Sequence, residues 1–373
     1  MKRRDLISSV AAATTVGLAA TATGASAAEA KANAKPNPST TGARNLITDV
    51  PGIKVGNSQD TDAKTGVTVI IPDKPAVAAV DVRGGGPATR ETDALSPENL
   101  VQTVDGIVLS GGSVYGMASA DGICARMGAN NRGFSMGSAA GVPPSPILPT
   151  ACLYDLANGG NKAWKESPPY RELGLKAFES IGEDFALGTA GAGYGANAGG
   201  IKGGLGSASV VSKEGINVGA IVAVNSLGAA IGPDSKQFWA APFEMGDEFG
   251  GLGSDELKAG SENYGKALQP RGNTTIAVIS TDIALTRVEL QRVAVMAQDG
   301  LARALRPIHA PFDGDVVFAL STEQREMPEG FPRSYMTLRI GALAADTLAR
   351  AIARAVFEAT ALKGSKIPAW RDL

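Results

Sequence analysis

The chain has 373 residues, with 35 Lys and Arg against 37 Asp and Glu and a formal net charge of −2 at pH 7. Its basic residues are scattered rather than gathered into a stripe, which excludes the electrostatic footprint of a nucleic-acid binder or of a protein held on an anionic membrane and leaves small molecules and peptides as expected partners. Two cysteines, Cys124 and Cys152, and one histidine, His309, give no Cys/His cluster with metal-ligand spacing, and any histidine-dependent hydrolase would have to use His309.

Residues 1–27 carry a basic head with Arg3 and Arg4, a mildly apolar middle and a small-residue end at Ala25-Ser26-Ala27. That layout predicts a twin-arginine-like export signal, because the apolar part is too short and too poor in large aliphatics for a membrane span. A periplasmic or secreted destination follows, with no membrane insertion once the signal is removed. Residues 28–45 are polar and cannot repay their ordering entropy, so a flexible lead-in is expected.

Val- and Ile-rich runs at 67–71, 77–82 and 106–109 read as strands, and 113–127, rich in small side chains, reads as a helix. Gly133-Phe134-Ser135-Met136-Gly137 fits the G-x-S-x-G pattern, but a nucleophile elbow needs a strand before it and a helix after it. Here Asn130-Asn131-Arg132 precedes and Gly141-Val142-Pro143-Pro144 follows, which marks a chance match. Gly191-Ala192-Gly193-Tyr194-Gly195-Ala196 has neither the leading strand nor the following amphipathic helix of a dinucleotide site. A strand is expected at 218–224.

From 246 to 272 the chain is polar, acidic and glycine-rich with no sustained period, which predicts a long functional or disordered loop. It ends at Asn273-Thr274, directly against an apolar strand at 276–280. A helix begins at Thr286, whose hydroxyl caps it while Glu289 reaches back; Leu290, Val293, Ala294, Ala297, Leu301 and Leu305 form its apolar side and Pro307 stops it. A strand at 316–320 and a helix over 343–362, with Leu348, Ile352, Ala355, Val356 and Ala359 on one face, complete the order. Alternating strands and helices, several strands being apolar on both faces, predict a layered α/β domain whose sheet is covered on both sides. The 47 glycines gather at the ends of apolar runs, where close backbone approach needs them. The two cysteines are expected as separate buried thiols.

One nucleophile needs no histidine. If the chain is cut before Thr274, the new α-amine, with an unperturbed pKa of roughly 7.7 to 8.0, can serve as base for the hydroxyl of the same residue. Asn273-Thr274-Thr275 taken alone reads equally as a polar strand start.

The stretch Asn273-Thr274-Thr275-Ile276-Ala277-Val278-Ile279-Ser280-Thr281-Asp282 resembles the self-processing site of the L-aminopeptidase/D-esterase family, which includes β-peptidyl aminopeptidases and the nylon-oligomer hydrolase. Ile47-Thr48-Asp49-Val50-Pro51-Gly52, Val82-Arg83-Gly84-Gly85-Gly86-Pro87-Ala88-Thr89-Arg90-Glu91-Thr92-Asp93, Leu109-Ser110-Gly111-Gly112-Ser113-Val114-Tyr115-Gly116, Lys202-Gly203-Gly204-Leu205-Gly206-Ser207-Ala208-Ser209 and Phe312-Asp313-Gly314-Asp315 agree in the same order, so the resemblance spans nearly the whole mature chain. It implies a four-layer α-β-β-α sandwich of the kind shared with ornithine acetyltransferases. Residues 46–273 would form a large subunit and 274–373 a small one within one domain.

The resemblance further implies that Thr274 attacks the scissile amide after the bond following Asn273 breaks. Asn225 matches the family's oxyanion-stabilising asparagine, with an Asx-turn as its bland alternative. Asp313 and Asp315 match the acidic pair of the nylon-oligomer hydrolase branch, and one intervening residue on an extended segment would aim both the same way; otherwise they read as a turn. The β-peptide-cleaving members carry Ser and Glu there, which puts β-peptide specificity in doubt. Lys202 matches a family lysine near the nucleophile, Tyr154 a second oxyanion donor or pocket residue, and Tyr115 either a pocket wall or core packing. The implied activity is cleavage of amide bonds in small peptides or amino-acid amides, after small or unbranched N-terminal units. No metal or organic cofactor is implied, and a homo-oligomer, often a tetramer, is expected. Two alternatives remain: an acyltransferase of the same fold, and a non-catalytic exported binding protein in which Thr274 is never unmasked.

Overall fold

A computed structural model describes residues 39–137, 141–258 and 272–373. The expected export signal, residues 28–38 of the lead-in and residues 259–271 of the expected loop lie outside the described residues. In chain order the strands and helices are β1 (Ile53–Asp60), β2 (Thr65–Pro72), β3 (Ala76–Val82), β4 (Thr89–Arg90), β5 (Thr103–Val104), β6 (Ile107–Ser110), α1 (Ser119–Ala129), β7 (Thr150–Cys152), α2 (Tyr170–Glu179), β8 (Asn197–Ala198), β9 (Ile201–Lys202), β10 (Gly204–Val211), β11 (Asn217–Asn225), β12 (Thr274–Ile283), α3 (Arg287–Ala304), β13 (Val316–Arg325) and α4 (Arg333–Phe357).

Strand alternation builds the layers. Along β12, Ile276 and Val278 face a second sheet, while Ala277 and Ile279 face helices. The six-stranded sheet, β10-β11-β12-β13-β3-β5, thus packs one face against the five-stranded sheet β1-β2-β6-β7-β4. Ile53, Ile70, Ile107 and Leu109 meet Leu205, Ile221, Val316 and Phe318 in that central layer. Its other face is covered by Val293, Ala297 and Leu301 of α3 and Ile340 and Leu348 of α4. On the far side Val67, Val69 and Val108 pack against Ile123 of α1 and Leu173 of α2. The result is an α-β-β-α sandwich, each buried Val, Leu, Ile or Phe contributing on the order of 1.5–3 kcal/mol before entropy is counted. Pairing is antiparallel throughout except at β12–β13 and β6–β7.

Most expected elements appear near their predicted positions, and the departures have physical reasons. The capping box of α3 forms as expected, with Glu289 Oε2 accepting from Thr286 N at 2.9 Å and Thr286 Oγ1 accepting from Glu289 N at 3.3 Å. Helix α4 starts ten residues before the predicted 343 and ends five before 362: Met336 and Ile340 already extend its buried side, and its N-cap is Pro332. The 113–127 helix begins as a 3-10 turn, Ser113–Ala118, in which Gly116 sits so close to the Gly111 carbonyl that a Cβ there would lie 1.9 Å away.

The lead-in and the loop are more anchored than their compositions suggest. Thr40 bridges Val211, and Asn45 Oδ1 accepts from Ser209 N at 3.0 Å and from Arg350 Nη2 at 2.9 Å. Of the predicted 246–272 loop, residues 246–258 are pinned: Phe249 is buried with its ring 5.4 Å from that of Phe238, and Glu248 Oε2 accepts from Arg350 Nη2 at 2.9 Å. Both cysteines are free, Cys152 buried and Cys124 only half-buried. Among the described residues no helix is long and apolar enough to cross a membrane.

Candidate active site

Thr274 opens β12 opposite Asn225, the last residue of β11. On its other side β12 runs parallel to β13, and one residue before β12 Asn273 bridges Asp313. Backbone groups therefore alternate between two neighbours. Those of Asn273 and Thr275 turn toward the β13 side: Asn273 N donates to Phe312 O at 3.5 Å, Gly314 N donates to Asn273 O at 3.0 Å, and Thr275 N donates to Asp315 Oδ1 at 2.8 Å. The Thr274 side chain is 4% exposed and its hydroxyl donates to the carbonyl of Asn273, the residue just before it.

Asp313 and Asp315 are both fully buried. Asp315 Oδ2 accepts from the His309 backbone N at 3.1 Å and lies 2.9 Å from His309 Nδ1. Asp313 accepts from Ala310 N at 2.9 Å and from Leu227 N at 3.4 Å. Burial, with the neighbouring Asp315 charge second, pushes the Asp313 carboxyl up to about 6. The Gly84-Gly85-Gly86 run makes this packing possible. Gly86 N donates to Asp313 O at 2.8 Å, Arg83 N donates to Asp315 O at 3.0 Å, and a Cβ on Gly84 would fall 2.2 Å from Asp315 N.

On the β11 side a cavity of about 580 Å³ opens against the Asn273–Thr274 junction, with Tyr154, Asn158, Asn197, Asn225, Gly272 and Asn273 among its walls. Asn225 has a fixed orientation because Asn197 N donates to its Oδ1 at 3.0 Å, which leaves Nδ2 to donate to Tyr154 O at 3.0 Å and Gly272 O at 3.4 Å. Tyr154 packs its ring against Gly272, where a Cβ would be 2.6 Å from Cγ of the ring.

Lys202 lies one layer behind. Its buried ammonium donates to the carbonyls of Gly193, Ala196 and Gly203 at 3.1, 2.9 and 2.7 Å, and burial lowers its pKa to about 7. It reaches the cavity through its strand partner Asn197, which holds Asn225. The charge of Asp155 acts against that lowering of the Lys202 pKa; Asp155 is a buried cavity-wall carboxylate whose pKa burial raises and which accepts from Thr65 Oγ1 at 2.6 Å and Gly112 N at 2.8 Å.

The structure thus brings Asn273, Thr274, Asn225, Asp313 and Asp315 around one peptide bond, with Tyr154 at the cavity wall and Lys202 behind it. Tyr115 stands apart. It is 45% exposed, belongs to the 3-10 turn after β6, packs edge-on against Trp164 with ring centroids 5.8 Å apart, and is not among the cavity walls. Of its two expected readings, the structure describes packing, on Trp164, in a turn that serves the five-stranded sheet. Gly314 and Asp155 support the site without being singled out from sequence, and His309, weighed there only as the base of a histidine-dependent hydrolase, instead holds Asp315. For His309 the signal was available: it is the sole histidine and lies six residues before Asp315. Among the described residues no group of three or more His, Cys, Asp and Glu is placed to hold a metal ion.

The four layers, with Thr274 buried where β12 begins between the two sheets, place the molecule among α-β-β-α sandwich proteins. The sequence matches Peptidase family S58 over residues 45–368, and the chain belongs to that family. It is 41% identical over 354 residues to an uncharacterized aminopeptidase of Mycobacterium tuberculosis, covering 88% of this chain and 98% of that one. It is 26% identical over 332 residues to the 6-aminohexanoate-oligomer endohydrolase of Paenarthrobacter ureafaciens, covering 85% and 87%. Among solved structures, a Burkholderia sp. β-aminopeptidase superposes with a TM-score of 0.65 at 22% identity over 90% of this chain and 93% of that one. The L-aminopeptidase D-Ala-esterase/amidase of Ochrobactrum anthropi, described as a variant of the N-terminal-nucleophile fold, gives 0.63 at 21% identity over 88% and 92%. The chain is therefore a hydrolase of the aminopeptidase and amidohydrolase kind.

Proposed function

We propose that the chain cuts itself between Asn273 and Thr274 and then hydrolyses small peptides or amino-acid amides through the freed Thr274. The observation that carries this reading is the buried Thr274 hydroxyl, hydrogen-bonded to the carbonyl of Asn273. Attack of Oγ1 on the Asn273 carbonyl carbon forms a C–O bond, the C–N bond breaks, and an ester and a free amine remain; water then releases the ester. Until that happens Asn273 stands between the hydroxyl and the cavity.

The freed amine, with a pKa of roughly 8 when unperturbed, takes the hydroxyl proton as a substrate carbonyl is attacked, and an acyl-enzyme forms that water hydrolyses. Asn225 Nδ2, held from behind by Asn197, serves as a donor to the developing oxyanion. Asp313 and Asp315 hold the amine and relay protons. The cavity's size suits a small substrate, and the side-chain amides of Asn158, Asn197, Asn225 and Asn273 in its walls suit peptide groups. In this reading residues 46–273 and 274–373 become two interlocked subunits, since β12 lies between β11 on one side of the cut and β13 on the other. Export of the chain and its homo-oligomeric assembly belong to the same proposal.

A panel of amino-acid amides, β-amino amides and aminohexanoate oligomers, assayed with and without competing amine acceptors, tests this. Hydrolysis by the wild type, partial activity of Thr274→Ser and none in Thr274→Ala are expected. Full amidase activity in Thr274→Ala would remove the nucleophile, and dominant transfer to the amine would make the protein an acyltransferase.

A further inference from the structure

We propose that the peptide N–H of Gly314 is the oxyanion donor of the self-cleavage step, and that Asn225 serves added substrates only. The inference rests on the Thr274 reading and deepens it. Backbone groups of successive residues in a strand point to opposite sides. The Asn273 carbonyl and the Thr275 N–H both point to the β13 side, to Gly314 N at 3.0 Å and Asp315 Oδ1 at 2.8 Å, whereas Thr274 is paired with Asn225 on the other side. The scissile oxygen therefore faces away from the strand that carries Asn225. Asn225 is also engaged elsewhere, its amide donating to Tyr154 O and Gly272 O and not to Asn273 O.

The Gly314 donor is held in advance. Its preceding carbonyl, that of Asp313, accepts from Gly86 N at 2.8 Å, and the carbonyl of Asp315 accepts from Arg83 N at 3.0 Å. A Cβ at 314 would lie 2.8 Å from Thr274 Oγ1 and 2.8 Å from Gly86 O, so only a bare peptide unit brings its N–H this close to the attacked carbonyl. As the Thr274 Oγ1–C bond forms, the carbonyl π pair moves onto Asn273 O and the Gly314 N–H stabilises it. Collapse returns the pair, breaks the C–N bond, and the proton lost by the hydroxyl ends on the Thr274 nitrogen. Fixed backbone donors at this distance act without reorganisation, which is the source of their effect.

The test removes the N–H alone. Glycolic acid placed at position 314 by nonsense suppression in cell-free synthesis exchanges the amide for an ester, and the chase is followed on denaturing gels beside Asn225→Ala and Thr274→Ala. With thermal melting confirming a folded precursor, the ester variant should cleave about 10²-fold or more slowly, and Asn225→Ala should cleave within about threefold of wild type while losing about 10²–10³-fold in amide turnover. A folded ester variant cleaving at the wild-type rate overturns the Gly314 assignment, as does an Asn225→Ala precursor slowed as much as the ester. Cleavage after Asn273 in Thr274→Ala would instead sink the nucleophile reading beneath it.

Discussion

Two of the places where charge is buried among the described residues are built in opposite ways. Beside α4, Arg350 and Glu248 are 2% and 7% exposed and bonded to each other, with Asn45 and Ser209 completing the arrangement. Beside the start of β13, Asp313 and Asp315 are buried together, and among the described residues only backbone N–H groups and the His309 ring bond to their oxygens. The first cluster pairs opposite signs and ties the lead-in and the 246–258 segment to a helix. The second forces like signs together, a state that costs stability and is worth keeping where a carboxyl must change its protonation during chemistry. Their pH responses should differ in sign. Burial raises Glu248, but the bonds from Arg350 and Asn45 outweigh it and hold its pKa below the ordinary 4.5, so its stabilisation is lost as pH falls through that region. Asp313, raised from 3.8 to about 6, binds a proton in the fold that the unfolded chain has released, so its contribution weakens as pH rises through that window.

The largest expected effect on stability comes from the paired cluster. Arg350→Ala leaves Glu248 buried without its partner and should cost about 3–5 kcal/mol in denaturant unfolding, with self-cleavage preserved in whatever folds. Loss of cleavage in folded Arg350→Ala would erase the distinction between the clusters. Asp315→Asn keeps a side-chain oxygen for Thr275 N and removes a charge; cleavage slowed about 10²-fold, read by chase on gels, is expected, and an unchanged rate would return the acidic pair to a turn role. Asp313→Asn should flatten the stability slope between pH 4 and 6, the interval between the two values given for that carboxyl. A slope that persists in thermal melts at stepped pH would place the titrating group elsewhere. Smallest of all, Tyr115→Ala should change amide turnover by no more than roughly twofold and stability by about 0.5–1 kcal/mol, since only its packing on Trp164 is lost.

The contrast between the clusters also explains what could be read from sequence. Apolar periodicity reports burial, and the strands at β2, β3, β6, β11, β12 and β13 were visible in it, as was the capping box of α3. Strands β1 and β10 were not, because Lys54, Asn57 and Gln59 interrupt one and Gly204, Gly206, Ser207 and Ser209 dilute the other. Helix α2 was missed because its buried residues include Gly174 and Ala177, too small to mark a face. The two-sheet sandwich came from family resemblance, since no local pattern says which strands share a sheet. The roles of Thr274, Asn225 and the acidic pair rested on the same resemblance, since residue types alone also read as a polar strand start, an Asx-turn and a turn. Gly314 and Gly84 carry no side chain to read; their roles exist only in distances to Thr274 Oγ1 and Asp315 N. The polarity of residues 246–258 suggests a loop, but polarity cannot tell a solvated acid from Glu248, which has a buried arginine waiting 102 residues later.

The central claim is that one peptide bond gives way to its own neighbouring hydroxyl. Mass spectrometry of the purified protein under denaturing conditions, with N-terminal sequencing of each component, tests it most directly. Two fragments, the smaller beginning at Thr274, are expected from wild type and one whole chain from Thr274→Ala. Amide turnover by a wild-type chain that remains unbroken would contradict it.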